Sequence, residues 1–251
     1  MTQFSSIYSE CYDLIHSKKS YEKETSQLLK FAKTHFKHFE SLKVLDFGCG
    51  TGGHLESLQG SSLNLTGYDI NENMLTIARK RLRNIQCHSN LQDVGTDFEM
   101  IYSLFDVINY QHTDDLLKNY LESIHNLLAP GGMLVCDGWN LSGVKLDPPS
   151  ISKRTFRYRN KSITREVQPL KSTKSDISKL KIKLIDEAEN VVLAQEIHTM
   201  RSFDPTELTN VALSLGFSKI EFRDGTDWGK ELGIGSWRFV MFATKLINEH
   251  E

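Results

Sequence analysis

Leu42-Lys-Val-Leu-Asp-Phe-Gly-Cys-Gly-Thr-Gly-Gly-His54 decides the fold. Leu42, Val44, Leu45 and Phe47 form a short apolar run of the kind buried as a strand. Gly48, Gly50 and Gly52 follow at once, and His54-Leu-Glu-Ser-Leu58 opens a helical pattern. A strand feeding a glycine turn and a helix N-terminus is a cradle for a nucleotide cofactor. Glycine lets backbone approach a ligand closely, and the unpaired N–H groups of the first helical turn favour negative charge or lone pairs. The spacing is GxGxG with an acid, Asp46, in front, whereas dinucleotide folds prefer GxGxxG.

This stretch resembles motif I of the Rossmann-like, S-adenosylmethionine (SAM)-dependent methyltransferases, D-x-G-C-G-T-G. The resemblance implies SAM as cofactor and nominates Asp46, Gly48, Cys49, Gly50 and Gly52 to hold it. Leu128-Ala-Pro-Gly-Gly132 followed by the apolar run Met133–Asp137 is a second mark of these enzymes.

Working outward, Leu63–Asp69 reads as a second strand ending in an acid 17 positions beyond Gly52. A carboxylate at that strand end can accept both ribose hydroxyls of an adenosyl ligand, with Ile70 against the adenine. The alternative for Asp69 is a helix N-cap before Asn71-Glu-Asn73. Ile85–His88 reads as strand three. In methyltransferases of this type an acidic or amide side chain after it takes the adenine amino group, which here implies Asn90 with the Leu91 amide. Glu99–His112 supplies strand four and its exit loop. In open parallel sheets ligands bind beyond the strands' carboxyl ends where strand order reverses, so Ser103, Leu104, Phe105 and Tyr110 should border both the sulfonium and the acceptor. Asp114–Leu128 is an amphipathic helix with Leu117, Tyr120, Leu121, Ile124 and Leu127 on one stripe.

The N-terminal stretch Tyr12-Asp-Leu-Ile-His-Ser-Lys-Lys-Ser-Tyr21-Glu-Lys-Glu24, set in helices over Ser5–His16 and Tyr21–Phe39, resembles the lid of methyltransferases acting on nucleotide-linked amino sugars, with Ser20 where that family has Asp. The resemblance implies that Tyr12 and Tyr21 cover SAM; the plainer reading is that they pack helices. That subgroup has His where this chain has Tyr110, and a phenol and an imidazole differ as bases near neutral pH. Gly138-Trp-Asn140 resembles its substrate-facing segment, so Trp139 either walls the acceptor pocket or is core. Glu196-Ile-His198 matches its E-x-H, nominating His198 beside Tyr110 for catalysis and acceptor contact, with a structural histidine as the alternative. Ser236-Trp-Arg238 matches a serine–x–arginine near the substrate phosphates, against a plain ion pair.

Lys153–Lys183 is strongly basic, and Lys179–Leu184 alternates with period two before a further strand at Val191–Phe203. This predicts an antiparallel sheet inserted after strand five, its lysines either solvating one face or meeting a phosphate. Asp147-Pro-Pro-Ser150 follows the fifth strand rather than the fourth and reads as a linker, not as the tetrad of nucleic-acid amino-methyltransferases. Asp204-Pro-Thr-Glu207 starts a helix, and Phe217–Phe222 with Ser236–Thr244 reads as a final antiparallel pair.

The predicted architecture is an α/β, Rossmann-like, seven-stranded, mostly parallel sheet with helices on both faces and a small antiparallel cap. Residues 1–40 form a helical lid, 41–145 and 203–246 the SAM-binding domain, and 146–202 the substrate cap. The 251 residues, 39% hydrophobic and 25% charged with net charge −2, fit a globular protein and disfavour an electrostatic nucleic-acid binder. No apolar run reaches the ~18 residues of a membrane span, and no signal-peptide core is present. Four scattered cysteines make no metal-like pair and fit reduced thiols in the cytoplasm. The expected protein is a cytoplasmic monomer or homodimer that uses SAM and no metal. It moves a methyl group to the nitrogen or oxygen of a small anionic acceptor such as a nucleotide-linked sugar. An O-methyltransferase of another metabolite, a silent SAM-binding protein, an NAD-dependent oxidoreductase and an RNA methyltransferase are the rivals.

Overall fold

The structure is a computed structural model that describes residues 4–247. Two helices lead: α1 (Ser6–Ile15) and α2 (Tyr21–His35), the latter capped by Ser20, whose hydroxyl accepts from the Lys23 amide. Then β1 (Lys43–Phe47), α3 (Gly53–Leu58), β2 (Asn64–Tyr68), α4 (Glu72–Arg81) and β3 (Gln86–His88) alternate. They are followed by β4 (Phe98–Ser103), α5 (Asp114–Leu127), β5 (Leu128–Trp139) and the short α6 (Leu141–Leu146). Four long strands come next: β6 (Ser152–Tyr158), β7 (Lys161–Leu170), β8 (Ile177–Asp186) and β9 (Val191–Arg201). The chain closes with α7 (Pro205–Ser214), β10 (Phe217–Asp224), β11 (Asp227–Glu231) and β12 (Arg238–Lys245).

The main sheet has the order β11-β10-β12-β5-β4-β1-β2-β3. Its first five strands in sequence run parallel, and β12, β10 and β11 add antiparallel. The seven expected strands are all there. The eighth, β11, is a short edge strand paired to the end of β10. Its Asp227-Trp-Gly-Lys-Glu231 carries no apolar alternation, so only pairing reveals it. Strand β5 also starts earlier than Met133, because Leu128 already pairs with Phe98.

Two apolar layers sandwich this sheet. On one side α5 and α7 lay Leu117, Leu121, Ile124, Leu208 and Ala212 against Leu45, Ile101 and Leu134. On the other, α2, α3 and α4 bury Leu28, Leu55, Leu75 and Ala78 against Val44, Met100 and Val135. Strand order reverses between β1 and β4, so a crevice opens beyond their carboxyl ends.

The second sheet, β6-β7-β8-β9, is an antiparallel meander. Its inner face packs Ile163, Val167, Ile182 and Leu184 on Tyr8, Cys11 and Ile15 of α1. Register places Lys181 and Lys183 opposite Gln168 and Glu166, on the alternate face from Ile182 and Leu184. Most of the basic excess therefore solvates the outside of this sheet. Helix α1 is held between the sheets: the Thr51 hydroxyl donates to Asp13 (2.8 Å), and Arg81 binds both Asp13 and the Thr51 carbonyl. Among the described residues no helix is long and apolar enough to cross a membrane.

Candidate active site

Beyond β1 and β4 lies a cleft of about 800 Å³, floored by the main sheet and roofed by α1 and the antiparallel sheet. The glycine turn forms one wall. Gly48 has φ +89°, and a Cβ there would meet Val107 at 2.7 Å, so neither backbone nor space admits another residue. Gly50 has φ +54° and nothing within 4 Å of a built Cβ: its backbone is open to a ligand. Asp69, at the end of β2, is pinned by two amides, accepting from Gly50 (2.8 Å) and Asn71 (2.7 Å). It is therefore part of the turn as well as of the wall. Burial raises its carboxyl above the usual range, against the pull of those two amides. Beside it Ile70 is 83% exposed, an unusual solvation for isoleucine that a planar ligand would relieve.

Several residues nominated from sequence line this cleft: Gly48, Cys49, Gly50, Asp69, Ile70 and Leu91 on the turn side, and Leu104, Phe105, Tyr110 and Trp139 on the β4–β5 side. Tyr12, Tyr21 and His198 come down from the roof. Others do not reach it. Gly52 (φ +81°) serves as the N-cap of α3. Asn90 is exposed and spends its side chain accepting from the Gln92 amide (3.1 Å). Ser103 is fully buried and donates to the Phe47 carbonyl (2.6 Å), which ties β4 to β1. Asp46 lies beneath the turn, 1% exposed, with the Tyr102 hydroxyl as its polar neighbour; that hydroxyl pulls the carboxyl down, but the pair does not reach good hydrogen-bond geometry. Burial pushes the Asp46 carboxyl well above its ordinary value. A buried orphan of this kind calls for a polar partner, and it fits an ammonium delivered through the turn.

Arg238 departs most from expectation. Its guanidinium binds Asp106 (2.5 Å) and Asp137 (3.0 Å), and the side chain is 21% exposed. Both contacts are made by the one nitrogen Nη2, and Nε is buried without a partner, so the two carboxylates offset the charge that a phosphate would need rather than fill the fork. The cluster holds the β4 exit loop, where Phe105 (φ +73°) and Asp106 (φ +69°) both adopt left-handed backbone, a costly conformation for non-glycine residues. The Asp106 amide donates to Asp137 (2.9 Å). Burial lifts the Asp106 carboxyl to about 6, with Arg238 acting in the opposite sense.

At the roof a chain of hydrogen bonds crosses the cleft wall. The Tyr110 hydroxyl lies 2.8 Å from His198 Nδ1, and His198 Nε2 lies 2.9 Å from Glu196. Glu196 also accepts from the amides of Phe4 (2.9 Å) and Ser5 (2.8 Å) and from the Ser5 hydroxyl (2.6 Å). Burial alone would raise Glu196, yet these donors, led by His198, hold it at about 2. An ionised Glu196 requires the proton on Nε2, which leaves the Nδ1 lone pair to accept from Tyr110. Burial drives the Tyr110 phenol well above its ordinary value, so it stays protonated. Phe4, Tyr8, His16 and Arg165 also line the cleft, as does Asp106 from the expected Ser103–Tyr110 stretch. The alternation of β9 placed Glu196 on the face of His198, the one signal that could have found it.

Residues 44–132 match the family described as "Methyltransferase domain". The chain is 25% identical over 233 residues to a dTDP-3-amino-3,4,6-trideoxy-alpha-D-glucopyranose N,N-dimethyltransferase of Streptomyces venezuelae, covering 91% of this chain and 97% of the relative. Its fold is that of the Streptomyces venezuelae DesVI crystal structure (TM-score 0.73, 22% identity, 95% of this chain and 98% of that one). It is also that of SAM-bound CalS10, an amino pentose methyltransferase from Micromonospora echinaspora (TM-score 0.70, 20% identity, 98% and 99%).

Proposed function

We propose that this chain, a SAM-dependent methyltransferase, methylates the amino group of a nucleotide-linked amino sugar. The full-length similarity to a dTDP-amino-sugar dimethyltransferase supports the acceptor class. The observation that carries the chemistry is the Tyr110–His198–Glu196 chain at the roof of a cleft that also holds Asp69 and the glycine turn.

Bound SAM supplies an electrophilic methyl group on a sulfonium, which an acceptor nitrogen takes by in-line displacement. In this reading Asp69 accepts the ribose hydroxyls, Ile70 and Leu91 flank the adenine, and Asp46 with the turn amides receives the methionine end. Tyr12 and Tyr21 cover the cofactor and keep water out. Residues 1–40 act as lid, 146–202 as substrate cap, and the rest as the SAM-binding domain.

A neutral amine needs alignment more than a strong base. Tyr110 donates its proton to His198, so its oxygen lone pairs are free to accept an amine N–H and aim the nitrogen. After transfer the new ammonium can pass its proton to the Tyr110 oxygen as the phenol proton moves to Nδ1. Glu196 then faces an imidazolium and stabilises it. A hydroxyl acceptor would call on the same chain as general base. The reading places the reaction in the cytoplasm, in keeping with four free thiols.

The test is mass spectrometry of purified protein with SAM and a panel of dTDP-linked amino sugars, their hydroxy counterparts and the free sugars. We expect mass gains of one or two methyl groups on the amino sugars and none on the hydroxy compounds. Methylation confined to the hydroxy compounds would overturn the assignment.

A further inference from the structure

Arginines of this protein that reach inward mostly have a settled partner. Arg238 holds Asp106 and Asp137; Arg201 binds Asp114, Asp176 and Glu207. Arg154 donates to the Ile15 carbonyl and the Ser17 hydroxyl, closing the end of α1. Arg165 is different. It stands on β7 between Ile163 and Val167, cross-strand from Leu184, and so on the apolar inner face of the second sheet. It lines the cleft, and among the described residues it makes no ion pair with any carboxylate. Its Nε is buried without a partner, and the polar group beside it is the Tyr8 hydroxyl.

Arg165 is half-buried with no carboxylate within ion-pair distance; the ionised Glu196 acts on the same Tyr8 and Tyr110 phenols from farther off, so an anion delivered to the cleft would complete the guanidinium's pairing. Its surroundings indicate which end of the cleft that anion occupies. Arg165 belongs with Tyr8, Tyr110 and His198, at the roof where the proton-handling chain lies; after burial, its charge is what most disfavours protonation of His16, the residue that caps the end of α1. Asp69 and the glycine turn stand on the opposite wall. The outward lysines of the second sheet face away from the cleft, so they cannot substitute for it.

We infer that Arg165 binds the phosphate of the acceptor, through a subsite formed by the Arg165 guanidinium and the Tyr8 hydroxyl. This rests on the acceptor being nucleotide-linked. A planar fork on a rigid strand suits two phosphate oxygens, and the phenol can donate to a third. Cleft and cap then divide the work: the main sheet holds the cofactor, and the inserted sheet reads the acceptor's charge.

The test uses the full chain with Arg165→Gln and Arg165→Lys, titrated calorimetrically with thymidine diphosphate in the presence of S-adenosylhomocysteine. Steady-state turnover is measured in parallel on a dTDP-linked amino sugar and on the same sugar without phosphate. We expect Arg165→Gln to weaken thymidine diphosphate at least tenfold and to raise KM for the linked sugar to match. The KM for SAM and for the unlinked sugar should stay within twofold of wild type, and Arg165→Lys should recover part of the loss. Unchanged thymidine diphosphate affinity in both variants overturns the proposal. So does a defect confined to SAM, which would assign Arg165 to the methionine carboxylate, or an equal defect on the unlinked sugar, which would make it structural. A wild-type enzyme that turns over only phosphate-free amines overturns the acceptor class itself, an outcome visible before either variant is made.

Discussion

At the residue scale, Asp69 serves two ends at once. Its oxygens fix the Gly50 and Asn71 amides, and its position at the end of β2 offers the remaining lone pairs to the cleft. The sequence offers ribose binding and a helix N-cap as alternatives for Asp69. The N-cap of α4 is Asn71, whose side chain accepts from the Asn73 and Met74 amides. Asp69, accepting through about four sites, keeps lone pairs for the cleft beyond the two amides it holds. Asp69→Ala should cost SAM affinity about 1–3 kcal/mol, the worth of hydrogen bonds to a charged group. Calorimetric titration with SAM reads it directly, and Asp69→Asn separates charge from shape. SAM affinity equal to wild type in both variants would remove Asp69 from the binding site. The misses at this scale share a cause. Ser103 and Asn90 were nominated by their position after a strand, and each side chain satisfies a nearer backbone group instead. A hydrogen bond made locally at no cost in chain entropy beats one that waits for a ligand.

At the element scale, Arg238 clamps three pieces: its own β12, Asp137 of β5 and Asp106 after β4. The register sets Arg238 opposite Trp139, two residues beyond Asp137, so the ion pair reaches along the strand as well as across it. Removing one partner of a buried pair costs about 3–5 kcal/mol, because it leaves charge unpaired. Arg238→Ala should therefore lower the urea midpoint markedly and loosen the strained Phe105–Asp106 turn. If the variant melts like wild type and loses only acceptor affinity, the phosphate role returns to Arg238. Elements with strong periodicity were legible in advance: α5 with its apolar stripe, α7 with Asp204 accepting from Thr206 (2.8 Å) and Pro205 at the first position. The edge strand β11 was not, because an exposed strand needs no pattern of its own when its neighbour supplies the hydrogen bonds.

At the scale of the whole molecule, Glu196 joins the N-terminal segment to the Tyr110–His198 pair across roughly 190 residues of sequence. The same carboxylate that receives the Phe4 and Ser5 amides orients His198, so one group fixes both the N-terminal segment and the Tyr110–His198 pair. This has a pH signature. Glu196 is held at about 2, below its ordinary 4.5, so its contribution to stability is complete above about 4.5 and fades as pH falls toward 2. His16 is lowered to about 3, chiefly by burial and then by Arg165, so its contribution is complete above 6.5 and fades down to about 3. Thermal melts of wild type and Glu196→Gln should differ most at neutral pH and converge toward pH 2–3, while both retain the decline that begins below 6.5. A gap independent of pH would show that Glu196 is not ionised in the folded protein.

Read alone, the sequence determined the central sheet, its cofactor turn and the presence of an inserted antiparallel sheet. Those rest on local signals: glycines forced by backbone geometry, period-two and period-3.6 apolar patterns, and stop residues after helices. It also brought His198 and Tyr110 forward as candidates for proton handling, and Tyr12 as a cover for the cofactor. Tertiary structure alone decided which cations stay free. Arg165 and Arg238 look alike as letters, yet Arg238 meets two carboxylates and Arg165 meets none, because pairing depends on what the fold brings within 4 Å. That distance is set by the order β12-β5-β4 in one sheet and by the packing of the other on α1. Neither is written in the spacing of residues along the chain.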